Sequence, residues 1–337
     1  MQSSSSPETE LLVGGQALIE GVMMRSPGAY GVAVRRPDGS LAFQRGKVNS
    51  LAKRFPILKL PILRGVAVLF HSLALGIRSL NFSAEQAVAA GTPAEAEAGT
   101  QEKKETSNMA IAGSMAFGLG LGIVVFLLAP LWLTHLGEKY LFGGHLSNLS
   151  FNLLDGGLRA VFFLGYIFAI SRMKDIHRVF QYHGAEHKVV FNYEKRLPLT
   201  VANARAQSRL HPRCGTSFLL FVLLVSILVF ALIPKSAPFL VKFGGRLLLV
   251  PAIAGLSYEV LRFTAKHRAA PLFAILVAPG LALQRITTQE PTDDMLEVAI
   301  AALEEALRED GLLVPAETPI PVPAIVPAEI SGAAARA

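Results

Sequence analysis

Long uncharged stretches occupy the middle of the chain and predict helices that cross a membrane. Residues 110–134 contain no charged residue, and a helix needs about 20 apolar residues to cross the hydrocarbon core of a bilayer. Three further stretches are long and apolar enough to predict spans, namely residues 153–171, 216–234 and 247–263. Residues 269–283 are too short to cross straight and contain two prolines, so they predict a re-entrant or interfacial segment.

The stretch before these spans is apolar but interrupted by charge. Residues 57–82 contain Lys59, Arg64 and Arg78, which leaves no uncharged run of the length that a span needs. We therefore expect an interfacial helix at 57–82, with a buried helix of a soluble unit as the equal alternative. Residues 83–108 are rich in Ala, Glu, Gly and Thr and predict a flexible linker.

The N-terminal part of the chain has the pattern of a small β unit, assigned to residues 11–56. Residues 30–35 alternate loosely between apolar and other positions, residues 37–39 are the turn-forming Pro-Asp-Gly, and an apolar segment follows at 41–44. This order predicts a β-hairpin, with a third strand around residues 19–25. Glu20 is an acidic residue in apolar surroundings, and we expect it to pair with a basic residue rather than with a metal.

The C-terminal part returns to a polar pattern. Residues 291–311 carry an apolar stripe of helical period, preceded by the N-cap residue Thr292 and two acidic residues. They predict an amphipathic surface helix in the cytoplasm. Residues 1–10 and 312–337 are predicted to be disordered. The fold class is thus mainly α: a polytopic helical membrane protein of about four spans, with its membrane domain at 109–290 and a small N-terminal β unit.

Basic residues give the predicted spans an orientation. The chain has 32 Lys and Arg against 25 Asp and Glu, a net charge of +7. Nine of the basic residues lie in the 172–213 loop, against one in 135–152 and two in 235–245. Because cytoplasmic loops are enriched in Lys and Arg, we place both termini and the loop 172–215 in the cytoplasm. Topology and contact with an anionic lipid bilayer account for the excess charge, so no nucleic-acid partner is expected.

A His-x-x-Glu-His string in the basic loop suggests a metal site. His183 and His187 are spaced i, i+4, so on a helix their imidazoles share one face and can bind one ion. Glu186 can reach the same site from the next turn of the helix. In the inverted zincin order this glutamate acts as the catalytic base. The alternative is that both histidines lie on a solvated or interfacial helix face.

Three further residues near the predicted cytoplasmic surface could complete the site. His211 and Cys214 are spaced three apart, and imidazole and thiolate are both zinc ligands. Cys214 is the only cysteine of the chain, which excludes an intrachain disulfide; its alternative role is an inert buried residue. Glu259 lies near the end of a predicted span, where a carboxylate is costly, and its alternative partner is Arg262.

The sequence is therefore compatible with two alternative sets of metal ligands. The preferred shell adds Glu259 to the two motif histidines, with Glu186 as the base. The second shell adds His211 and Cys214 to the same two histidines. In either case we expect a divalent cation, with zinc favoured by the nitrogen and sulfur donors.

Four motifs carry a resemblance to a known family. They are the segments Gly14–Arg25, Tyr182–Lys188, His211–Thr216 and Pro279–Thr288. In this order they resemble the YqhQ-like bacterial membrane proteins, a domain of unknown function described as a predicted metal-dependent enzyme. The resemblance covers residues 14–303 and implies a bacterial inner-membrane location and a metal site. It implies no substrate and no reaction.

Two functional hypotheses follow from these observations. The first is a metal-dependent hydrolase of the zinc type, acting at the cytoplasmic membrane surface on a peptide or lipid-linked substrate. The second is a membrane assembly or scaffold protein whose metal is structural. A position left open on the metal favours the hydrolase, and closed four-ligand coordination favours the scaffold. Nothing in the sequence indicates an oligomeric state.

Overall fold

The structure is a computed structural model that describes residues 13–48, 55–88, 102–266 and 271–312. The predictions of disorder at residues 1–10 and 313–337 lie outside the described residues. So do residues 89–101 of the linker predicted at 83–108, but its two ends, residues 83–88 and 102–108, are helical.

The N-terminal unit is an antiparallel sheet of four strands in sequence order. They are β1 (Gly14–Leu18), β2 (Gly21–Arg25), β3 (Ala29–Arg35) and β4 (Leu41–Lys47). The hairpin of β3 and β4 and the strand at β2 confirm the predicted β unit, whereas β1 was not predicted. Glu20 takes a positive φ of 54° in the tight β1–β2 turn, and Gly39 takes a φ of 84° in the β3–β4 turn, where glycine carries no steric cost.

Helices make up the rest of the described chain. In order they are α1 (Leu63–Val88), α2 (Glu102–Ile123), α3 (Ala129–Tyr140), α4 (Asn148–Ile170), α5 (Lys174–Glu194), α6 (Val201–Arg205), α7 (Gly215–Phe230), α8 (Phe239–Lys266), α9 (Pro271–Thr287) and α10 (Asp293–Asp310). A π-helical turn at Val124–Leu128 joins α2 to α3.

Four helical stretches within the described residues are long and apolar enough to cross a membrane, at residues 63–87, 113–140, 148–170 and 239–264. Three of them match predicted spans in position. The helix at 63–87 replaces the predicted interfacial helix, because it begins after Lys59 and continues beyond residue 82. The segment predicted to span at 216–234 forms only the 16-residue helix α7, which is shorter than a span needs.

The amphipathic C-terminal helix α10 lies against the sheet rather than on a free surface. Its apolar residues, including Leu296 and Leu303, are buried in one core with residues of β2, β3 and α5. Gly31 on β3 makes this approach possible, because a Cβ atom there would lie 2.5 Å from the Ala302 carbonyl oxygen. The predicted helix is therefore present, and its apolar stripe is buried against this face of the β unit.

The same core fixes α5 in place. Tyr182 and Ala185 of α5 are fully buried in it. The segment after α9 crosses α5 at Gly184, and the Gln289 amide donates a hydrogen bond of 2.8 Å to the Phe180 carbonyl. Glu20 binds Arg178 of α5 through both carboxylate oxygens, which confirms the basic partner expected for it. These contacts hold the motif helix between the sheet and the apolar helices.

Candidate metal centre

The His-x-x-Glu-His string lies within the 21-residue helix α5, as its spacing requires. His183 and His187 stand one turn apart on the same face, with ring centroids 4.5 Å from each other. Both histidines therefore present their imidazoles to one place, which is the geometry that an i, i+4 pair provides.

Cys214 completes a cluster of three donors. It is the N-cap residue of α7, and its sulfur lies 3.1 Å from His183 Nε2. One ligand atom from each of His183, His187 and Cys214 falls within 4.8 Å of the others. Two imidazole nitrogens and one sulfur are donors that zinc accepts, and three protein ligands with one open position are typical of catalytic zinc sites.

Backbone carbonyls orient both imidazoles. The Nδ1 atoms of His183 and His187 lie 2.8 Å from the Thr287 carbonyl oxygen and 2.5 Å from the Arg209 carbonyl oxygen, respectively. A carbonyl only accepts hydrogen bonds, so each Nδ1 carries the proton and each Nε2 keeps its lone pair. This is the tautomer of metal-binding histidines whose second nitrogen donates to the protein. The Arg209 side chain also donates to Thr288 Oγ1 at 3.0 Å, which ties the two carbonyl segments together.

The inner nitrogen of His187 has an unusual environment. Its Nε2 is buried and has no hydrogen-bond partner in the described part of the chain, although the Cys214 thiol is near enough to interact with the ring. Burial lowers the pKa of His187, an effect that the nearby thiol partly opposes. A neutral imidazole with an unused lone pair is the state that a metal ion requires.

Glu186 lies beside the cluster in a fully buried position. Its Oε2 is 3.4 Å from His187 Nε2. Burial raises the pKa of Glu186. Electrostatic interaction with His183 and His211 and a hydrogen bond from the Gly15 amide lower the same pKa by a smaller amount. A carboxyl with a raised pKa next to a metal site is suited to accept and return protons.

Gly15 of β1 lets the sheet approach Glu186. A Cβ atom at Gly15 would lie 2.5 Å from the Met23 carbonyl oxygen and 2.8 Å from Glu186 Cγ. Gly15 lies in the first of the four motifs that carry the family resemblance. Its structural role is to let the sheet close one side of the donor cluster.

This close approach leads to a prediction with an internal control. Gly15→Ala is expected to destabilise the protein by about 1–3 kcal/mol, since overpacking forces backbone and side chains apart. Gly14→Ala is the matched control, because a Cβ atom there meets nothing within 4 Å. Thermal unfolding of both purified variants measures the difference, and equal stability of the two variants would contradict the packing described here.

His211 lies at the border of the cluster rather than inside it. Its ring centroid is 5.7 Å from that of His187, and its Nε2 lies 3.3 Å from Glu194 Oε1. Its backbone N–H donates to Gln284 Oε1 and its carbonyl oxygen accepts from Gln284 Nε2, each at 2.8 Å. His211 is therefore held by Glu194 and Gln284, neither of which was a candidate site residue in the sequence.

Glu259 is not brought to the imidazoles. Both of its carboxylate oxygens bind the guanidinium of Arg64, and its Oε1 lies 3.4 Å from the Ile62 amide. Its main partner is therefore neither the metal site nor Arg262, the two partners considered from the sequence. The pairing joins α1 to α8 and neutralises a carboxylate that would be costly inside a span. The cluster thus corresponds to the second predicted shell, with Cys214 inside it and His211 beside it.

A cavity of about 170 Å³ opens onto the cluster. The three donor residues, Glu186 and His211 line it together with the backbone of β1. The space is large enough for water molecules or for the reacting group of a substrate. The cluster is therefore accessible on one side while its imidazoles stay fixed on the other.

Comparisons with known proteins give a family and no activity. The family described as "Protein of unknown function (DUF1385)" matches residues 60–309. The chain is 40% identical over 306 residues to "Uncharacterized protein YqhQ" of Bacillus subtilis (strain 168), which covers 89% of this chain and 93% of that protein. No solved structure matches the chain.

Proposed function

The chain belongs to the DUF1385 family, and we propose that it is a membrane-embedded hydrolase that depends on a divalent cation of the zinc type. His183, His187 and Cys214 would hold the cation, and Glu186 would serve as the base. The observation that carries the proposal is the convergence of two oriented imidazoles and one sulfur on one place. When bound, such a cation supplies Lewis acidity towards water and towards a carbonyl or phosphoryl oxygen.

Other residues of the chain orient the two histidines and transfer protons. The carbonyls of Thr287 and Arg209 keep both histidines in the tautomer that leaves Nε2 without a proton. Glu186 borders the cavity next to His187 Nε2. It is positioned to take a proton from water in the cavity and to return it to the leaving group. Hydrolysis adds the oxygen of that water to the cleaved centre, so no further reactant is needed.

The membrane setting of the proposal follows from composition. Within the described residues, four helices are long and apolar enough to cross a membrane, and the metal-site residues lie on α5 and at the start of α7, outside these four. We propose the bacterial inner membrane, with the centre and both termini on the cytoplasmic side, because the 172–213 loop carries nine basic residues and the sheet, α5 and α10 share one core. This arrangement requires an even number of crossings between the sheet and α5. We therefore propose that α1, which carries Arg64 and Arg78, lies along the membrane surface, and that α7, continued by the apolar residues 231–234, makes the fourth crossing. A water-filled site at the membrane surface suits a substrate that reaches it from the bilayer.

Glu186→Gln is the variant that tests the assignment of the base. We expect it to retain bound metal at the wild-type level and to lose hydrolytic activity by about 100-fold or more, because general acid–base catalysis contributes on this scale. Metal content by elemental analysis and turnover of a screened set of ester, peptide and phosphoester substrates give the two readouts. Asp175→Asn, at an exposed acidic residue in the first turn of the same helix, is the control and should keep both.

The outcomes of this test separate the two functional hypotheses. Loss of metal in Glu186→Gln would make Glu186 a fourth ligand and would favour a closed, structural centre. Full activity of the variant would remove Glu186 from the chemistry. Retained metal with lost activity supports the hydrolase.

A further inference from the structure

A second cavity of about 550 Å³ adjoins the metal centre. It shares Val13, Gly14, Gly15 and Arg213 with the smaller cavity that opens onto the three donors. Its size falls within the range of roughly 300–1,000 Å³ that is common for small-molecule sites. A ligand in the larger cavity would therefore have one end beside the metal centre.

The walls of this cavity come from two kinds of structure. One wall is the sheet, which contributes Met23 and Arg25 of β2. The other wall is formed by Leu75 of α1 and Tyr258 of α8, two of the helices long enough to cross a membrane. Residues of α1 near this wall, such as Leu73 at 55% exposure, have apolar side chains open to the surroundings. The cavity thus lies where the sheet meets the apolar surface that faces lipid.

Arg25 gives the cavity a positive charge without a visible counter-charge. Other arginines of the sheet are paired: Arg35 with Glu297 and Arg45 with Glu305. Arg25 is partly buried, yet no carboxylate or other hydrogen-bond acceptor binds its guanidinium in the described part of the chain. Burial lowers the pKa of the Arg25 guanidinium, and the nearby Tyr258 opposes this shift. A partly desolvated guanidinium of this kind is a strong binding site for phosphate or carboxylate.

We propose that this cavity binds the phosphate-type head group of an anionic membrane lipid through Arg25, with the apolar part of the lipid along α1 and α8. The inference deepens the proposed function by naming its substrate class, and it rests on that function only for the reaction, not for the binding. A water-soluble phosphate ester shares the head-group chemistry, but the apolar wall of the cavity favours the lipid.

Lipid binding to the full-length protein in a neutral detergent tests the proposal. Native mass spectrometry with phosphatidylglycerol and with phosphatidylcholine gives the preference for the anionic lipid. We expect wild type to prefer phosphatidylglycerol and Arg25→Gln to lose this preference by on the order of tenfold or more, as expected for a hydrogen-bonded charged contact. Arg36→Gln is the matched control, because Arg36 is an exposed arginine whose guanidinium binds the Gln86 side chain at 2.7 Å and lies outside the cavity.

Two further arms make the result decisive. Arg25→Lys keeps the charge and should restore part of the preference, and a thermal unfolding midpoint equal to that of wild type shows that each variant is folded. Glycerol 3-phosphate is added in competition: if it displaces the lipid at the same concentration as phosphatidylglycerol, the ligand is a soluble phosphate ester and the lipid proposal is overturned. Unchanged lipid preference in Arg25→Gln also overturns it.

The proposal and the proposed function can fail separately. His187→Ala removes a metal ligand but leaves the larger cavity intact, so it should keep the lipid preference of wild type. Lipid preference in a protein that binds no metal would refute the metal-dependent hydrolase and retain the lipid site. Metal binding without any lipid preference would refute the lipid site and retain the metal-dependent hydrolase.

Discussion

Replacing any one of His183, His187 and Cys214 with alanine is expected to reduce bound metal from about one ion per chain to almost none. Two remaining donors are too few to hold a zinc-type ion against water. Each purified variant is loaded with zinc and dialysed to remove unbound zinc, and the remaining bound metal is measured by elemental analysis. The expected loss is the same for all three residues, because the structure gives each of them one ligand atom in the cluster.

Two control variants distinguish the loss of a metal ligand from a general loss of metal after substitution. Glu259→Gln should keep its metal, since that carboxylate binds Arg64 and not the imidazoles. His145→Ala should also keep its metal, because His145 is an exposed histidine in a loop between α3 and α4. Loss of metal in Glu259→Gln together with retention in Cys214→Ala would contradict the cluster and restore the shell first preferred from the sequence.

Removing the charge of Asp155 is expected to produce the largest loss of stability. Asp155 of α4 accepts hydrogen bonds from Arg159 at 2.8 Å and from Arg246 of α8 at 2.7 Å. These side chains are 2%, 6% and 0% exposed, respectively. Breaking a buried ion pair on one side leaves an uncompensated charge and costs about 3–5 kcal/mol. Asp155→Asn leaves two such arginines in the interior of the helix bundle.

Thermal and denaturant unfolding of the detergent-solubilised protein measure this loss. Glu138→Gln is the matched control, since its partner Lys235 is 30% exposed and the pair lies 3.0 Å apart at the rim of the bundle. Partly exposed ion pairs contribute about 1 kcal/mol or less. A loss below about 1 kcal/mol in Asp155→Asn would show that another group neutralises the two arginines.

Local pattern was enough to predict much of the donor cluster. The i, i+4 spacing of His183 and His187 determines their shared face on any helix, and the structure places both on α5. The sequence also offered Cys214 as a ligand, but it gave no means to rank Cys214 against Glu259. That ranking depends on Arg64, which is 195 positions away from Glu259. A cationic partner on another helix cannot be identified from the spacing of one motif.

The fold shows the same division between local and long-range information. Alternation and turn residues predicted the β3–β4 hairpin, and uncharged length predicted the helices at 113–140 and 148–170. The helix at 63–87 was missed as a possible span, because Arg64 and Arg78 reduce its uncharged length and the partner of Arg64, Glu259, lies on another helix. The position of α10 under the sheet was missed because its apolar stripe could face any surface, and Gly31 alone does not identify β3 as its partner.

The central claim is that two imidazoles and the Cys214 sulfur hold one metal ion with a position left open. X-ray absorption at the zinc edge of the zinc-loaded, full-length protein tests it most directly. The account predicts one sulfur at about 2.3 Å, two imidazole nitrogens at about 2.0–2.1 Å and one further light-atom ligand. A shell of nitrogen and oxygen without sulfur, or a protein that binds no zinc at all, would contradict it.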